Sequence, residues 1–121
     1  MKKSFNPEVF LDIAKTIWKD QKLDQEGRLR TAIGRSYYAA FLKSLVKLQN
    51  QGESFPSVHK IHADVRKKLQ NRKKSNIASK LNSLFDMRVK ADYKLYAKID
   101  VSLYNQSIRL SENIMNWIEE L

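Results

Sequence analysis

The chain has 121 residues, 42% of them hydrophobic and 30% charged, a balance that suits one globular domain with a single core and excludes an intrinsically disordered chain. Its 23 Lys and Arg against 13 Asp and Glu leave a charge of +10, so polyanions are the natural partner class, although excess charge also serves solubility. The absence of cysteine excludes disulfides, thiol nucleophiles and thiolate metal sites, and the longest apolar run, Tyr37 to Leu42, is far short of the roughly 20 residues of a membrane helix.

With three Gly and two Pro, few helix breakers interrupt the chain, and an all-α bundle spanning residues 1–121 is expected, cytoplasmic and without membrane contact. Asn6 followed by Pro7 is a helix start, and Phe10, Ile13, Ala14, Ile17 and Trp18 repeat at helical spacing to about residue 21. Asp24 is the cap of a long helix over 25–50 that ends before Gly52. Its stripe of Leu29, Ile33, Tyr37, Phe41, Leu45 and Leu48, with Tyr38, Leu42 and Val46 beside it, is broad enough to mark a central helix. The segment from Gln51 to Ser57, with Gly52 and Pro56, is a loop.

A third helix follows, capped by Ser57, with Val58, Ile61, Val65 and Leu69 on one side. It leads into a run in which Arg66, Lys67, Lys68, Arg72, Lys73 and Lys74 are basic, a solvated helix end or a phosphate-binding patch. Helix four begins near Ser75 or Asn76 with the stripe Ile77, Leu81, Leu84 and Phe85. Helix five follows Asp100 and carries two apolar series. They are Val101, Tyr104, Ile108, Ser111, Met115 and Ile118, and Leu103, Ser107, Leu110, Ile114, Trp117 and Leu121; one series packs on the bundle and the other calls for a partner.

Chemistry gathers around helix four. On a helical wheel Arg88 falls within the apolar stripe, so its guanidinium must be paired or face a cleft. Asp92, four residues on, is the natural pair, and such a pair either closes the helix end or prepares Arg88 to grip a phosphate. His59 and His62 are the only imidazoles. They follow no recognised zinc pattern, so neither a metal nor a cofactor is expected, and His62 lies at the core edge. In Gly34-Arg35-Ser36-Tyr37-Tyr38-Ala39-Ala40-Phe41 the aromatic pair reads as core, with Arg35 paired to a carboxylate or carbonyl and the hydroxyls of Tyr37 and Tyr38 bonded at the core edge. Tyr93 and Tyr96 lie in the connection before helix five, where tyrosines beside basic groups can stack on bases.

These pieces together, above all Met87-Arg88-Val89-Lys90-Ala91-Asp92-Tyr93 followed by an amphipathic helix, resemble the HEPN superfamily, specifically small stand-alone members whose signature is Arg, three residues, Asp-Tyr. The resemblance implies an up-and-down bundle of four to five helices that forms a homodimer, with two copies of the signature lining one cleft. It implies an RNA-directed effector of toxin–antitoxin or phage-defence type. Many members are metal-independent endoribonucleases in which Arg stabilises the phosphate and a His, four to six residues beyond, removes the 2′-hydroxyl proton. Here Arg88, Asp92 and Tyr93 are the catalytic candidates, with Arg35, Tyr38, His59, His62 and Tyr96 in support. Tyr93 stands where the His is expected, and a phenol, ordinarily ionising near pH 10, is a poor base at neutral pH. The alternative implied by the family is a non-catalytic partner of a small nucleotidyltransferase, and the plainest alternative is a basic bundle with a structural ion pair.

Overall fold

The computed structural model describes residues 4–121; residues 1–3 of the expected span lie outside the described residues. The described residues form an up-and-down bundle of five helices: α1 (Glu8–Lys19), α2 (Gln25–Asn50), α3 (Ile61–Asn71), α4 (Ser75–Tyr93) and α5 (Val101–Glu119). Asn6 Oδ1 accepts from the Glu8 amide at 3.1 Å, so the Asn-Pro pair opens α1 as its chemistry requires. The helix ends slightly earlier than expected because Asp20 leaves it in extended backbone and turns the chain by accepting from the Lys22 amide.

Helix α2 runs between its expected bounds, capped by Asp24, which accepts from the Gly27 amide at 2.8 Å. It packs against α1, α4 and α5, and that centrality explains its broad apolar surface: all six residues of its main stripe are buried. At its C-terminus the Gly52 amide bonds Gln49 O and the Glu53 amide bonds Leu48 O, with Gly52 at φ +94°. This is the paired-bond ending that favours glycine. Helix α3 ends with the same two bonds, from Lys73 to Gln70 O and from Lys74 to Leu69 O. There the left-handed position is filled by Lys73, at φ 61°.

The entry to α3 differs from expectation. A 3₁₀ turn, Val58–Lys60, precedes it, Ser57 makes no side-chain cap bond, and Val58 is 78% exposed. Three residues per turn rotate Val58 off the α-helical stripe, which consists of Ile61, Val65 and Leu69.

Helix α5, capped by Asp100 through the Leu103 amide at 3.0 Å, meets both α2 and α4. Both of its apolar series are therefore covered within the chain. Tyr104, Ile114, Met115 and Ile118 are buried, Leu103, Ile108, Leu110, Trp117 and Leu121 are half-buried, and Val101 alone is exposed. The expectation that one series needs an outside partner is thus corrected: two neighbours cover a wider face than one would.

The seam between α2 and α5 is lined by small polar residues. Ser36, Ser44 and Ser107 return their hydroxyls to carbonyls of their own helices, and Ser111 Oγ crosses from α5 to Ser36 O at 2.7 Å. Lys43 joins the ends of three helices, 2.6 Å from both Glu8 and Glu119. Burial opposes its charge, but the bonds from Glu119 and Glu8 prevail and hold its pKa above the ordinary lysine value.

Candidate functional site

Arg88 projects from the inner face of α4, its side chain 15% exposed. Because α4 continues to Tyr93, Asp92 completes the i, i+4 spacing, and Arg88 Nε donates to Asp92 Oδ2 at 2.8 Å. Room for that carboxylate comes from α2. Gly34 faces it, and a Cβ there would lie 3.4 Å from Asp92 Oδ1. The guanidinium rests on the Tyr38 ring at 5.3 Å and on the Tyr93 ring at 5.4 Å, with Nη2 3.5 Å from the Tyr93 hydroxyl. Tyr93 is the last residue of α4 and not part of the following connection.

Arg35 also lies on Tyr38, at 5.0 Å, and on Phe10 of α1, at 4.9 Å. The expected carboxylate or carbonyl partner is replaced by two rings, since α1 brings an aromatic face to this side of α2. Phe10, Arg35, Tyr38, Arg88 and Tyr93 thus alternate ring and cation.

Helix α3 supplies the opposite wall. His62 stacks on Phe41 with centroids 4.3 Å apart, and its Nδ1 lies 2.6 Å from the Tyr37 hydroxyl. Burial pushes the Tyr37 phenol well above its ordinary pKa, so it keeps its proton. With Nδ1 as the acceptor in reach, Tyr37 donates, and His62 carries its own proton on Nε2; this tautomer is assigned from the bonding. Burial first, then the charges of Arg88 and Arg66, hold the imidazole below its ordinary pKa. It is a neutral ring close to two cations. Arg66 lies on the Phe85 ring at 5.1 Å, and its Nη1 is buried without a partner.

These side chains bring three guanidiniums against one carboxylate around a half-buried aromatic floor. Such a set can bind an anion by charge and by N–H donation, offer neutral donors at His62 and Tyr93, and accept a proton at Asp92. Among the described residues no group of three or more His, Asp or Glu side chains is arranged to hold a metal ion.

The basic run is divided among three surroundings. Arg66 turns inward to the aromatic floor, whereas Lys68 and Arg72 reach Glu53 at 3.5 and 2.8 Å. Arg72 also donates to Gln51 Oε1. The bond from Arg72, more than any other influence, holds the Glu53 carboxyl below its ordinary pKa. Lys67, Lys73 and Lys74 remain exposed, as do His59 on the 3₁₀ turn and Tyr96 in the connection before α5. The Tyr37 hydroxyl is bonded as the sequence suggests, with His62 as the partner it did not name, whereas Arg66 as an inward residue was not foreseen. The four-residue spacing from His62 to Arg66, which puts both on one face of α3, was the available signal.

No helix among the described residues is long and apolar enough to cross a membrane. The family model described as the HEPN domain matches residues 8–121. Searches of curated proteins and of solved structures return no match. The chain therefore belongs to the HEPN family, whose domains are helical bundles of RNA-related effectors that often dimerise and bind RNA.

Proposed function

We propose that this HEPN protein is an RNA-directed effector in a toxin–antitoxin or phage-defence setting, acting as a metal-independent endoribonuclease at a dimer cleft around Arg88. The observation that carries this reading is Arg88 itself. It is a cation in the inner face of a helix, held by two tyrosine rings, with Asp92 bonded to Nε and only a long contact from Nη2 to Tyr93. An arginine that merely closed a helix end would not need that aromatic frame.

In the step proposed, the ribose 2′-oxygen attacks the adjacent phosphorus while its proton passes to Asp92, the one anionic acceptor of the set. The bond from phosphorus to the 5′-oxygen breaks, and that oxygen takes a proton from solvent, to which Asp92 returns the one it accepted. The products are a 2′,3′-cyclic phosphate and a 5′-hydroxyl, with Asp92 again ionised and Tyr37 protonated throughout. Arg88 and the Tyr93 hydroxyl stabilise the charge that develops on the phosphoryl oxygens. His62, neutral and held by Tyr37, offers its Nε2 hydrogen to the phosphate from the α3 side.

The test is cleavage of tRNA and total RNA in EDTA by wild type, Arg88→Ala and Tyr37→Phe. Arg88→Ala is expected to lower the rate roughly 100-fold or more, and Tyr37→Phe is expected to lower it less while retaining RNA binding. Equal cleavage by wild type and Arg88→Ala, or none by wild type, sinks the catalytic reading.

A further inference from the structure

The last residue of α4 and the connection that follows it hold exposed apolar groups on a fixed backbone. Tyr93 is 67% and Leu95 73% exposed, and Tyr96 is completely so. Yet the chain beneath them is tied down by one side chain of α2. Arg30 Nη1 donates to Ala91 O at 2.9 Å and, at longer range, to Lys90 O and Lys94 O. Its Nη2 donates to Ala97 O at 3.1 Å and Leu95 O at 3.3 Å. The Ala97 amide closes the turn on Lys94 O at 3.0 Å, and Ile99 anchors its far end in the core.

Two aromatic rings and a leucine held out in water this way gain free energy when a partner covers them, and the partner pays little ordering entropy on the protein's side. Charge identifies that partner. Lys90, Lys94 and Lys98 bracket the rings, while Asp92 is committed to Arg88 and Asp100 to the cap of α5. Apolar faces among uncompensated cations suit a strand whose bases are free to stack and whose phosphates meet lysines. A duplex keeps its bases stacked on one another and offers the phosphates alone.

We infer that the turn over residues 93–98 is a stacking subsite for an unpaired RNA base, with Tyr96 and Leu95 covering the base and Lys94 and Lys98 meeting its flanking phosphates. The identity of the strand rests on the ribonuclease reading above. Tyr93 links the two sites, since its ring touches Arg88 and it is the largely exposed last residue of α4, from which the turn departs. The base at Tyr96 is therefore one adjoining the phosphate at Arg88, and cleavage is confined to single-stranded segments.

The experiment measures binding apart from chemistry, using a fluorescently labelled 2′-O-methyl RNA strand, which cannot be cleaved, in anisotropy titrations. Tyr96→Ala is expected to weaken binding of the single strand roughly 10-fold, and Tyr96→Phe to retain it. An abasic strand and a duplex of the same sequence are expected to bind weakly and equally to wild type and Tyr96→Ala. Arg30→Lys, which keeps the charge but loosens the turn, is expected to lower affinity for the base-bearing strand only. Equal affinity of wild type and Tyr96→Ala for the base-bearing strand overturns the inference. So does a loss of the dimer in sedimentation velocity on Tyr96→Ala, which would assign the turn to a contact between copies of the chain. Base-dependent binding without cleavage fails the ribonuclease reading and leaves the subsite standing; Arg88-dependent cleavage untouched by Tyr96→Ala fails the subsite alone.

Discussion

Replacing Arg30 with Met keeps the aliphatic stem against α4 and removes the donors from five carbonyl oxygens. Those of Ala91 and Ala97 lie at 2.9 and 3.1 Å and are partly buried; the other three, at 3.3 to 3.4 Å, are replaced by water at little cost. A bond from a charged donor contributes about 1.5 kcal/mol at the lower end of its range, so the two short ones set the loss at about 3 kcal/mol. The 3.6 Å pair with Glu26, whose carboxylate is largely exposed, adds little. In a chain of 121 residues each kcal/mol moves the melting temperature by about 4 °C, which puts Arg30→Met about 12 °C below wild type. Arg30→Lys should recover only a minor part, because an ammonium cannot span carbonyls on both sides of the turn. Calorimetry reads the shift, and hydrogen exchange at Ala97 and Ile99 shows whether the turn loosens first. An Arg30→Met protein melting within about 2 °C of wild type would refute the claim that the guanidinium holds this turn.

Lys73→Gly should raise stability by about 1 kcal/mol, since Lys73 occupies a left-handed position at φ 61°, while Gly52→Ala, at φ +94°, should lower it by a similar amount; urea titrations giving both the same sign would contradict this. Ser111→Ala should cost about 1 kcal/mol by removing a buried bond at 2.7 Å to a carbonyl that keeps its helical partner, and an unchanged denaturation midpoint would show that the crossing bond is idle. For His62 the sign follows from its lowered pKa. The unfolded ring, with its ordinary value of 6.5, binds a proton that the folded ring refuses, so this contribution is full above that pH and declines as pH falls through it. Unfolding free energies compared between about pH 7.5 and about pH 5 should fall more steeply for wild type than for His62→Gln, and parallel profiles would show that His62 is as free as it would be in the unfolded chain.

Helical periodicity and capping chemistry made most of the fold legible. Asp24 and Asp100 mark helix starts because a short carboxylate meets an orphan amide whatever the tertiary context, and the bounds of α2 follow. The Arg88–Asp92 pair was legible for the same reason, being local to one helix. What escaped was decided between elements. The role of Arg30 has no local signature, since nothing in its neighbours announces carbonyls more than 60 residues away. The basic run read as one patch because the carboxylate that divides it, Glu53, comes from the preceding loop. Periodicity also overstated what α5 lacks, since it shows which residues want cover and not how many neighbours provide it. The placement of His62 against Tyr37 belongs to the same class: each was recognisable as a core or core-edge residue, but the bond between them depends on how α3 lies over α2.

The hydroxyl crossing from Ser111 to the Ser36 carbonyl sets more than local stability. A slide of α5 along α2 by even a fraction of a turn would leave the Ser111 hydroxyl without its partner in hydrocarbon, so that side of the bundle behaves as a stiff spine. Whatever accommodation a substrate demands falls to the other flank, where the short helix carrying His62 and Arg66 is slung between the bends at Gly52 and Lys73.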